Sequence, residues 1–76
     1  MKTIRTAADL AAYIAKQEDP LITVTVYGTR SGSILAQHGT VTEVCNDGTF
    51  EVFHVDDEGD MEDTFDFAFH YVIVED

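Results

Sequence analysis

Seventy-six residues with a formal charge of −11, 45% hydrophobic and 11% aromatic, make one small domain too apolar for intrinsic disorder. A lone cysteine, Cys45, rules out an intramolecular disulfide, and no apolar run approaches the ~20 residues of a membrane span. The excess of negative charge disfavours DNA, RNA and anionic membranes as partners and favours basic surfaces.

Thr6 to Gln17 reads as a helix. Thr6 is a good N-cap with Asp9 three residues on, and Ala7, Leu10, Ala11 and Ile14 fall on one face. Glu18-Asp19-Pro20 ends it, because the residue before proline is pushed out of the helical region. Leu21 to Tyr27 alternates as a strand, and Gly28 to Ser33 is a turn-rich connection. Ile34 to Cys45 is one bent strand or two short ones, with a bulge or sharp bend near Gly39. Asn46-Asp47-Gly48 signals a hairpin that returns through Thr49 to Val55. An acidic loop centred on Gly59 follows, and then a last strand from Thr64 to Val74, with Phe65, Phe67, Phe69, Tyr71 and Ile73 on one face. The helix is expected to cover Val72 and Val74 on the other face, leaving Asp66 and His70 near solvent.

The expected fold is therefore α+β: a single domain over 1–76 in which an N-terminal helix packs on a strongly bent antiparallel sheet of four to five strands. The segment from Gly39 to Val52 contains Gly39, Val41, Val44, Asp47, Gly48 and Val52 in the spacing G-x-V-x-x-V-x-x-D-G-x-x-x-V. It resembles the central hairpin of SH3-like and Tudor-like barrels. The resemblance covers about fourteen residues and implies an SH3-like barrel as one form of the fold.

Charge divides along the chain. From Glu43 onward stand twelve of the fifteen carboxylates and no lysine or arginine, whereas Lys2, Arg5, Lys16 and Arg30 nearly balance the first half. The densest stretch, Asp56 to Asp66, holds seven acids in eleven residues. It is not an EF-hand: in either register a ligand position or the obligatory glycine is wrong. His38, Cys45, His54 and His70 lack metal-ligand spacing, although His54 and His70 become neighbours if their strands pair. No phosphate-cradling loop or nucleophile elbow is present, and acids crowded on a hydrophilic loop lack the burial that tunes a general acid or base. No catalytic role, cofactor or metal is expected.

A solvated acidic loop that only aids solubility is the simplest account of the tract. The complete absence of lysine and arginine from the second half favours a second account. A folded surface bearing Glu51, Asp56, Asp57, Glu58, Asp60, Glu62, Asp63 and Asp66 fits a groove lined with lysine and arginine. In size and charge segregation the whole chain resembles the small acidic DNA-mimic inhibitors of phages and mobile elements, among them anti-restriction and anti-CRISPR proteins. That resemblance implies a non-enzymatic inhibitor acting in the host cytosol. It would block the basic groove of a nucleic-acid-binding protein, such as a Cas effector subunit, without binding nucleic acid or membrane itself. The competing expectation is an SH3-like interaction module that takes a peptide or partner subunit on Tyr27, Phe53 and Tyr71. Apolar residues on both faces of Thr49 to Val55 are compatible with a monomer or a weak homodimer.

Overall fold

A computed structural model describes residues 2–75. Met1 and Asp76, the ends of the expected domain, lie outside the described residues. The elements run β1 (Lys2–Ile4), α1 (Ala7–Ala15), β2 (Thr23–Gly28), β3 (Ile34–Val44), β4 (Thr49–Asp56), β5 (Gly59–Asp66) and β6 (His70–Glu75). All six strands join one antiparallel sheet in the order β1-β6-β2-β3-β4-β5. The α+β class with a single N-terminal helix agrees with the sequence. Two finer expectations are corrected. The sheet has six strands where four to five were expected. It also stays open, since among the described residues β1 pairs only with β6 and β5 only with β4, so it does not close into an SH3-like barrel.

The helix starts as its residues dictate: the Thr6 hydroxyl accepts a hydrogen bond from the Asp9 N–H at 3.1 Å. It stops at Ala15, two residues short of the sequence reading, and Lys16 caps it. Leu10 is fully buried and Tyr13 and Ile14 pack partly against the core, while Ala11, expected on that face, is exposed.

Strand β3 bends the sheet. Its register slips against β2 at Gln37–His38 and at Leu35, and against β4 at Thr42, each time by one extra residue on β3. Each such bulge sharpens the local twist. The bend expected near Gly39 is thus the bulge just before it, where His38 takes a φ of +54°. Gly39 is itself required: a Cβ there would clash with Val52 Cγ1. Val24, Val26, Val41, Phe50, Val52 and Val72 are buried on one inner face, where Ile4 and Leu10 join the core. Phe50 is its largest fully buried side chain, with ring centroids 5.7 Å from Phe65 and 4.4 Å from Phe67.

The second half differs most from the sequence reading. The acidic tract is a strand: β5 pairs with β4 along its whole length, from Asp56↔Gly59 to Thr49↔Asp66. Asp57 and Glu58 alone form the turn, closed by Gly59 at φ +117°. The expected strand from Thr64 to Val74 is broken by a turn at Phe67–Phe69. Asp66 causes the break, its Oδ1 accepting from the Ala68 N–H at 2.8 Å while its carbonyl accepts from the Phe69 N–H at 3.0 Å. The turn changes the parity of the chain. Phe65, Val72 and Val74 therefore lie inside, whereas Phe69 is 67% exposed.

Candidate functional site

Register assigns the acidic side chains to faces. On β4 and β5, Phe50, Val52 and His54 lie opposite Phe65, Asp63 and Met61, and these pairs point inward. Glu51, Phe53 and Val55 lie opposite Thr64, Glu62 and Asp60, and these point outward with Asp66. The β3–β4 register adds Glu43 directly opposite Glu51. The outer face of β3, β4 and β5 thus presents Glu43, Glu51, Asp60, Glu62 and Asp66. Phe53, 40% exposed, and Val55, 64% exposed, form an apolar ridge among them. Cross-strand neighbours on one face stand about 4.5–5.5 Å apart, and alternate residues of one strand about 6.6 Å apart. The carboxylates are therefore arrayed on hydrogen-bonded backbone.

The eight residues singled out from the sequence separate into three groups. Glu51, Asp60 and Glu62 belong to the outer face, and Asp57 and Glu58 crown the β4–β5 turn beside it. Asp56 and Asp66 hold turns, the Asp56 Oδ1 accepting from the Glu58 N–H at 2.8 Å. Asp63 faces inward and pairs through Oδ2 with Nε2 of the buried His54 at 2.8 Å. Sequence reasoning missed Glu43. The signal was available, because a hairpin closed at Asn46-Asp47-Gly48 brings Glu43 opposite Glu51.

Like charges directly opposite one another on a sheet are unfavourable. Glu51 shows the effect: a hydrogen bond shared with Glu43 comes first, followed by desolvation and repulsion from Glu43 and Glu62. Together they raise its carboxyl above the usual 4.5. A carboxyl with a raised folded-state pKa binds its proton more readily in the native chain, so its ionisation opposes folding. Glu51→Gln is therefore expected to melt higher than the parent at pH 7. The gap should shrink as pH falls through the raised Glu51 value toward 4.5, which melting curves from pH 7 to pH 4 would measure. Asp47 acts in the opposite sense. The Thr49 hydroxyl and N–H hold it below 3.8, so its contribution is present above that value and is lost as pH falls further.

The remaining candidates are dispersed. His54 pairs with Asp63, His38 with Glu75 at 2.6 Å, and the His70 Nδ1–H donates to the Asp66 carbonyl at 2.9 Å. His54 and His70 are not strand partners: His54 lies opposite Met61 and His70 opposite Gly28. Among the described residues no three His, Cys, Asp or Glu side chains gather as a metal site requires. Tyr27 and Tyr71 stack at 5.2 Å with the Arg5 guanidinium 4.5 Å over Tyr71, on the β2–β6 half. Phe53 stands elsewhere, opposite Thr40, so the three aromatics expected to share a groove do not come together. The chain matches no protein-family model, no curated protein and no solved structure. No helix among the described residues is long and apolar enough to cross a membrane.

Proposed function

We propose that the chain is a non-enzymatic inhibitor. It docks the acidic outer face of β3, β4 and β5 on the basic groove of a nucleic-acid-binding defence protein, such as a CRISPR–Cas effector, and excludes the nucleic acid. It would act in the cytosol of the host cell. The observation that carries this reading is the placement of Glu43, Glu51, Asp60 and Glu62 on one face, in a half of the chain without lysine or arginine. Such a face steers a cationic partner from a distance and pairs with its side chains on contact. The placement of Glu43 directly opposite Glu51 supports it further, since a cationic partner would relieve the repulsion between two like charges on one face. Phe53 and Val55 supply the apolar contact that anchors an otherwise ionic interface.

The test is a mobility-shift assay with purified Cas effectors and restriction enzymes, adding the chain before the labelled target. One of them should lose its nucleic acid in proportion to added chain, and the effect should weaken steeply between about 0.05 and 0.5 M salt as the Debye length shrinks. Inhibition that does not change with salt would count against charge mimicry.

A further inference from the structure

Strand β5 is a free edge. Its eight residues pair with β4 on one side and, among the described residues, with no strand on the other. Every second residue therefore turns an N–H and a C=O away from the sheet, a template for one more strand. The opposite edge, β1, offers only three residues.

The side chains specify which strand this edge accepts. Asp60, Glu62, Thr64 and Asp66 lie on the outer face, and Met61, Asp63 and Phe65 on the inner one. A second copy of β5, laid antiparallel, would bring acidic side chains against acidic ones on the outer face, which is unfavourable. A strand alternating lysine or arginine with apolar residues would instead pair its cations with Asp60, Glu62 and Asp66. Its apolar side chains would extend the inner face beside Met61 and Phe65. We infer that β5 captures an extended basic segment of the partner by strand addition, with cations over the outer face and apolar residues below. The inference rests on the cationic partner proposed above and adds how that partner is held: main-chain hydrogen bonds supply affinity, and alternate side chains supply selectivity.

The probe is a seven-residue peptide alternating lysine with valine. It is compared with the same peptide N-methylated at every second amide in each of the two possible phases. Methylation keeps the charge and removes the donors of one edge. The unmodified peptide should bind, and methylation in one phase should weaken it at least about tenfold while the other phase changes little. Amide hydrogen exchange should slow at alternate residues of β5. Equal binding by all three peptides, or protection confined to Glu43 and Glu51, would overturn strand addition and leave charge mimicry standing. No binding of any of them at low salt, where a folded basic nucleic-acid-binding protein is still captured, would also overturn it. If the chain captures neither, the charge reading fails as well.

Discussion

Replacing Asp57, Asp60 and Glu62 together by lysine is expected to weaken binding to the proposed cationic partner about a hundredfold or more, with the fold retained. A hundredfold loss corresponds to about 2.7 kcal/mol, within the range for removing close charge pairs across an interface. The substitutions move the formal charge from −11 to −5 and would set cations against those of the proposed partner. All three side chains are exposed, and among the described residues none accepts a hydrogen bond that holds a turn. Glu62 adds to the repulsion at Glu51, so its replacement should leave stability equal or slightly higher. Asp56, Asp63 and Asp66 are unsuitable for the same experiment because two of them hold turns and the third satisfies buried His54. Calorimetric binding of the variant, with a melting curve on the same sample, separates lost affinity from lost structure. Full affinity in a folded variant would remove these residues from the interface.

Phe50→Ala is expected to destabilise the chain by about 3–5 kcal/mol, the usual cost of emptying a large aromatic from a core. At ~0.05–0.15 kcal/mol per residue, a domain of this size has only about 4–11 kcal/mol in total. The variant should therefore lose a large share of its stability and melt well below the parent. The severity follows from position. Phe50 is fully buried at the start of β4 and contacts Phe65 on β5 and Phe67 in the turn beyond. Losing it loosens the acidic hairpin from the core, so binding should fall with folding even though no charge has changed. Urea unfolding measures the loss; a midpoint within about 0.3 M of the parent would show that the ring contributes little.

Much of this architecture can be read from the chain, for identifiable reasons. The Thr6 hydroxyl and the Asn46-Asp47-Gly48 turn act within a few residues of themselves, and both appear where local chemistry requires them. The bend in β3 announces itself because Gly39 interrupts the alternation. β1 is not legible in the sequence because three residues cannot display a period, and its place depends on Ile4 reaching the core beside Val72. The acidic tract reads as a loop because its charge density obscures its alternation. Met61, Asp63 and Phe65 in fact alternate, and Asp63, placed on the inner face opposite Val52, accepts from the His54 ring. The turn at Phe67–Phe69 depends on the Asp66 carboxylate bonding forward to Ala68 inside what looked like a continuous strand. The acids of the site were legible as residues. Their division into outer-face charges, turn holders and a histidine partner needed the register.

The most direct test of charge mimicry is displacement. Immobilised chain is loaded with host lysate at low salt and washed with double-stranded DNA or RNA oligonucleotides, beside a column carrying the Asp57, Asp60 and Glu62 to lysine variant. Mimicry predicts that a nucleic-acid-binding protein is retained, is released by the oligonucleotide at constant ionic strength, and is absent from the variant column. A partner that stays bound under excess nucleic acid, or that the charge-reversed variant holds equally well, would contradict it.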